Sequence, residues 1–273
     1  MMTRRKFLSY SLLSTAGAMG AYGTLVEPRL LDTTHHRLDG PALQQPVTIV
    51  QISDLHLNHL TGLYEDLAAT VNAINPTYIL ITGDSVDERD TLPLLDGFLS
   101  LLSPGIPKYA IVGNWEHWCG VNIRQLSTSY ERANGRLLVN ESVVIAGGSI
   151  LLTGLDDLVG GLPDIPGALD GVPEAPYHLL LEHCPEFRDH LPEIGEWQAR
   201  RDSARYMMAG HSHGGQVNIF GWTAFLPQGT GRYVRGWFTD GPTALYVSRG
   251  IGTTRLPIRI GSRPEVTVFT LGA

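Results

Sequence analysis

The chain has 273 residues, 43% of them apolar, with a formal charge of −7 and two cysteines. That apolar content can bury one full domain core, and no segment has the composition of a disordered tail. An acidic body argues against broad nucleic-acid binding, which needs a basic footprint, and Cys119 and Cys184 are too few for a disulfide framework.

Residues 1–26 read as an address. Thr3-Arg4-Arg5-Lys6-Phe7-Leu8 precedes a small, mildly apolar stretch from Ser9 to Ala21, the pattern of a twin-arginine export signal. The expected partner is therefore the twin-arginine export machinery, and the expected location the periplasm or the outer face of the cytoplasmic membrane. A basic N-terminus that stays uncut and anchors the chain at a membrane or envelope surface is the alternative. The stretch is too rich in Gly, Ala and Ser for a membrane span, which takes about 20 strongly apolar residues. Residues 27–45 have no steady period and carry Pro and Gly, as a linker or edge strand would.

The catalytic domain is expected over residues 46–273. VTIVQIS from Val47 is a buried strand pattern, and Leu63, Leu67, Val71 and Ile74 give the following segment a helical period. YILITGD is a second strand, Leu92 to Leu102 a second helix, and KYAIVGN a third strand. These strands end on Asp54, Asp84 and Asn114, 30 residues apart in each case. One βα unit has that length, so three units deliver one polar side chain each to the same edge of a parallel sheet. Beyond Arg136 the chain turns to short β segments: RLLVNE, SVVIAG, SILLTGLDD, HLLLEH, RYMMAG, GQVNIF, TALYVS and EVTVFTL. Two packed mixed β-sheets flanked by helices accommodate both halves.

The polar residues that end these runs carry the chemistry. Asp54, His56, Asp84, Asn114, His183, His211 and His213 offer oxygen and imidazole donors without thiolate, a set suited to Mn, Fe, Zn or Co. Each cluster alone reads as an ordinary turn; together they supply ligands for two divalent metal ions, which clamp and hydrolyse phosphate esters. The blocks Asp54-Leu55-His56, Gly83-Asp84, Gly113-Asn114-Trp115-Glu116, His183 and Gly210-His211-Ser212-His213 resemble those of the calcineurin-like metallophosphoesterases. GHSHGGQ and the C-terminal VSRGIGTTRLPIRIGSRPE are similar to the bacterial YkuE/YaeI-like subgroup.

That resemblance covers residues 46–273 and implies a four-layer αββα sandwich. It implies one metal on Asp54, His56, Asp84 and His213, a second on Asp84, Asn114, His183 and His211, and Asp84 as the bridge. A metal-bridging hydroxide would then attack a phosphodiester or phosphomonoester. The family has His directly after the Asn, where this chain has Trp115. His117 is the expected replacement as proton donor, with Glu116 orienting it or the loop.

Three other readings compete. The first is hydrolysis of the pyrophosphate in a UDP-2,3-diacylglucosamine-type lipid A precursor, and the second a non-catalytic metal-binding envelope module. The third takes Gly210-His211-Ser212-His213-Gly214 as a nucleophile elbow, but no histidine follows His213 to complete a triad. His59 reads as an outer or surface residue, and His35, His36, His178 and His190 as structural. Arg232, Arg235, Arg249, Arg255 and Arg259 read as solvated cations, with a phosphate-binding or lipid-facing rim as the alternative.

Overall fold

The computed structural model describes residues 4–200, 203–254 and 256–272. Helix α1 (Arg4–Leu25) leads through a short turn into strand β1 (Asp32–Leu38). Next come β2 (Val47–Ile52), α2 (Gly62–Ile74), β3 (Tyr78–Thr82), α3 (Leu92–Leu101), β4 (Lys108–Ile111), α4 (Asn114–Trp118), α5 (Ile123–Arg132) and β5 (Gly135–Leu137). A second series holds β6 (Glu141–Ile145), β7 (Ile150–Gly154), α6 (Ile165–Leu169), β8 (Tyr177–Leu181), α7 (Gly195–Ala199) and β9 (Ala204–Ala209). The chain closes with β10 (Asn218–Ile219), β11 (Trp222–Thr223), β12 (Gly236–Phe238), β13 (Ala244–Val247) and β14 (Glu265–Leu271).

Two six-stranded sheets result, ordered β1-β14-β2-β3-β4-β5 and β12-β13-β9-β8-β7-β6. Within them β2, β3, β4 and β5 run parallel, as do β7, β8, β9 and β13. Strand residues alternate between faces, and the alternation sorts the core into layers. Ile49, Leu80, Leu179, Leu181 and Met208 fill the seam between the sheets. Val50, Ile79 and Ile81 face outward beneath α2, α3 and α5, while Leu151, Leu180 and Met207 lie beneath Ile165, Phe187 and Trp197. Helix, sheet, sheet, helix is the four-layer order expected. Gln51 crosses the seam, donating to Thr82 Oγ1 at 2.9 Å and to the Ala209 carbonyl at 3.0 Å.

Within 27–45, Asp32–Leu38 forms an edge strand: β1 pairs in parallel with β14, from Asp32 beside Glu265 to Leu38 beside Leu271. GQVNIF departs from the expected strand. Gly214 and Gly215 both have positive φ, so the chain turns there and only Asn218–Ile219 is extended, paired with Trp222–Thr223. The end of α1 is tied to the domain, with Arg259 N donating to the Gly23 carbonyl at 2.8 Å and Ser262 N to Glu27 Oε1 at 2.7 Å. Among the described residues no helix is long and apolar enough to cross a membrane. Met1–Thr3, the Arg4, Arg5 and Lys6 side chains of the twin-arginine motif, and Arg255 lie outside the described residues.

Candidate metal centre

The carboxyl ends of β2, β3 and β4 in one sheet and of β8 and β9 in the other meet at one end of the sandwich. Each strand stops two or three residues before a candidate ligand, so its hydrogen-bonded ladder fixes where that ligand begins. The backbone then turns sharply. Asp54, His56, Asp84, His211 and His213 all have φ between 46° and 70°, a left-handed conformation that costs a non-glycine residue about 1–2 kcal/mol. Neighbouring glycines let these turns approach one another. A Cβ at Gly250 would sit 2.7 Å from the Asp54 Cβ.

Two trios of donor atoms are gathered. Asp54, His56 and His213 form one, Asp84, His183 and His211 the other; all six residues are buried, and within each trio the donors lie within 4.8 Å of one another. Asp84 Oδ2 joins them, 3.0 Å from His183 Nε2 and 3.6 Å from His56 Nε2. Asn114 Oδ1 completes the second set, 2.8 Å from His211 Nδ1. All seven sequence-derived ligands are therefore in one place.

The donor set fits divalent cations. His56 Nε2 and His213 Nε2 face each other at 3.1 Å, close to the spacing of two nitrogens each held about 2.1 Å from one ion. His183 Nε2 is buried and makes no well-directed hydrogen bond, with Asp84 Oδ2 as its polar neighbour at 3.0 Å, a lone pair and a carboxylate that a shared cation would satisfy. Outer contacts set which ring nitrogen faces inward. His183 Nδ1 donates to the Thr82 carbonyl at 2.8 Å, and His56 Nδ1 to Asp87 Oδ1 at 2.7 Å, leaving Nε2 of each as the ligand atom. His211 is reversed, because Nε2 donates to the Gln228 carbonyl at 2.7 Å and Nδ1 faces Asn114.

Charge within the cluster is tightly balanced. Burial alone would raise the Asp84 carboxyl, but His183 and then His56 hold it well below the usual carboxylate range. Burial and the neighbouring His56 and Arg259 push the His213 imidazole well down. Behind His183, burial and Asp157 push the Glu182 carboxyl well up, and beside it Cys184 Sγ donates to Asp157 Oδ2 at 3.1 Å.

The segment after Asn114 divides its work. Trp115 donates its backbone N–H to Asp84 Oδ1 at 2.9 Å and sets its indole edge-on to His56. Glu116 is fully buried and accepts from the backbone N–H groups of Gly113 at 2.8 Å, Asp84 at 3.1 Å and Ser85 at 2.5 Å. It therefore ties the β3 and β4 loops together. His117 Nε2 bonds to Asp156 Oδ1 at 2.7 Å, and that bond raises the imidazole pKa above its ordinary value.

Other residues fall elsewhere. His59 is exposed, and His178 is buried against Trp197. Arg259 is no solvated or rim residue: it is fully buried, bonds to the carbonyls of Gly252, Arg249 and Ser262, and reaches His213 Nδ1 at 3.3 Å. Ser212 Oγ donates to the Val234 carbonyl and accepts from Gly214 N, which occupies it structurally. Sequence reading missed Asp87, Gln228 and Arg259 as supports of the histidines. Asp87 lies three residues beyond Asp84, a weak clue, and the carbonyl of Gln228 leaves none.

Fold and site together define a class: a layered αββα scaffold whose strand ends gather two adjoining clusters of metal-competent residues. Residues 47–215 match the calcineurin-like phosphoesterase family, the chain belongs to that family, and it is a phosphoester hydrolase. It is 32% identical to the metallophosphoesterase YkuE of Bacillus subtilis over 99% of this chain and 98% of that protein. It is 29% identical to the phosphodiesterase YaeI of Escherichia coli over 99% of this chain and 100% of that protein. A solved dimetal phosphatase from Danio rerio overlays with a TM-score of 0.48 at 12% identity, covering 76% of this chain and 88% of that one.

Proposed function

We propose that this chain hydrolyses a phosphodiester or phosphomonoester at a dinuclear metal centre held by Asp54, His56, Asp84, Asn114, His183, His211 and His213. The observation that carries this reading is Asp84 Oδ2, which stands within 3.6 Å of imidazole nitrogens from both trios. Two divalent cations bound there would supply Lewis-acid neutralisation of the phosphoryl oxygens and would activate water for attack on phosphorus. The chain's own residues do the rest. Thr82, Asp87 and Gln228 hold three imidazoles in the tautomer that presents a lone pair inward, and the Trp115 N–H steadies the shared carboxylate.

His117 is the proposed proton donor to the leaving oxygen. The reading is supported by Asp156, which fixes the ring and keeps it protonated to higher pH, as a general acid requires. The His117→Ala variant should lose rate on an alkyl ester and keep it on a p-nitrophenyl ester, whose leaving group needs no proton. Equal loss on both esters would remove the acid role.

The central test uses purified protein reconstituted with Mn2+ and bis(p-nitrophenyl) phosphate. Asp84→Ala and Asn114→Ala should each lower turnover by more than about a hundredfold, beyond what loss of an outer partner costs. Export by the twin-arginine route is proposed from the Arg4-Arg5 pair. An Arg4→Lys, Arg5→Lys double variant should stay in the cytoplasm, and normal export of it would end that proposal.

A further inference from the structure

A groove of about 400 Å3 opens beside the metal centre, and nothing in the phosphoester chemistry above uses it. One wall is aromatic. Trp115 and Trp118 stand with ring centroids 6.1 Å apart and planes at 57°, the two faces of an open corner, and Trp118 is 55% exposed. The other wall is acidic, with Asp87, Glu88 and Asp90 against the single guanidinium of Arg89, which itself leans to 3.5 Å from Asp90. The groove abuts the centre through two of its lining residues. Asp87 bonds to His56 at 2.7 Å, and the Trp115 ring meets the His56 ring at 5.5 Å between centroids.

From this juxtaposition we infer that the groove seats an organic ammonium group carried on one ester arm of the substrate. The inference rests on the phosphoester reading of the adjacent centre. Charge complementarity selects the occupant. An anionic arm, such as a further phosphate or a uronic acid, would face Glu88 and Asp90 with one guanidinium between them, Asp87 being already bonded to His56 and Asn58. A purely apolar arm would strip water from the carboxylates without replacing the lost interactions. A quaternary ammonium meets both walls, because its weakly hydrated cation is drawn to indole faces while the carboxylates supply opposite charge. A short spacer between phosphate oxygen and nitrogen follows from the groove's contact with the centre, since Asp87 and Trp115, which line it, each touch His56. The substrate class is thus a zwitterionic phosphoester of the choline type.

The test compares two esters that differ in one atom: p-nitrophenyl phosphorylcholine and p-nitrophenyl 3,3-dimethylbutyl phosphate, in which carbon replaces the nitrogen. Leaving group and shape are shared, so the ratio of their kcat/KM values reads the charge alone. The metal-loaded protein should favour the choline ester by about tenfold, the size of ring–cation contacts partly out of water. In Trp118→Ala and in a Glu88→Gln, Asp90→Asn double variant that ratio should fall towards one, whatever happens to the absolute rates.

Choline and 3,3-dimethylbutanol titrated against tryptophan fluorescence give a second readout that needs no turnover. Only choline should quench, and Trp118→Ala should abolish the change. A ratio near one in the native protein, with both esters cleaved, overturns the ammonium subsite and leaves the phosphoester reading standing. Cleavage of neither ester, with choline quenching intact, does the reverse.

Discussion

At the scale of single residues, the ligands are legible in sequence and their supports are not. Each ligand lies within four residues of the end of an apolar run, so a strand pattern points at it. A supporting acceptor needs only an oxygen in the right place, and Asp87 supplies one from a loop with no pattern of its own. Its bond to His56 Nδ1 orients the imidazole and raises its basicity, opposing the burial that would lower it. Asp87→Ala should therefore weaken metal binding by about 10–100-fold, measured by Mn2+ titration of chelated protein, while Asp87→Asn, which keeps an acceptor, should lose less. Unchanged affinity in the alanine variant would show that His56 is held by its own turn. Arg259 misled sequence reading for a related reason. Arginine is usually solvated, and only the three carbonyls gathered around this one make burial tolerable.

At the scale of elements, the 30-residue spacing revealed β2, β3 and β4, because hydrophobic periodicity survives without tertiary context. The ribbon at β10 and β11 was misread because Val217 and Ile219 imitate strand alternation beside two glycines that break it. What joins the strand-end loops is Glu116. Its two carboxylate oxygens accept three backbone N–H groups from two different loops, and no neighbour-by-neighbour pattern encodes that. Removing it leaves three buried donors without partners, at about 1–3 kcal/mol each. Glu116→Ala should destabilise the metal-free protein by about 3 kcal/mol or more, read as a lower urea midpoint. A midpoint within error of the native value would mean that water enters to satisfy these groups.

At the scale of the whole molecule, the element pattern allowed two sheets flanked by helices and the family resemblance implied four layers, while strand order was not legible. The last strand, β14, inserts between β1 and β2, a pairing set by contacts more than 200 residues apart in sequence. The layered interior also makes a prediction independent of the metals. His178 lies on the outer face of the second sheet, bonded to Thr153 and packed on Trp197, five residues before His183 and so about 16 Å of strand from the centre. Burial, aided by Arg200 and Arg205, pushes its pKa down to about 3 from 6.5. Between those values the unfolded chain binds one more proton than the folded one, so stability rises with pH and falls as the solution is acidified. The contribution is about 1.4 kcal/mol per pH unit below 6.5. His178→Phe removes the titration but keeps an aromatic ring against Trp197. The stability difference between native and variant chelated protein, followed from pH 7 to pH 5 by urea unfolding, should shift in the variant's favour by about 2 kcal/mol. Parallel pH profiles would mean that His178 gains its proton without unfolding, through water reaching the face that α7 covers.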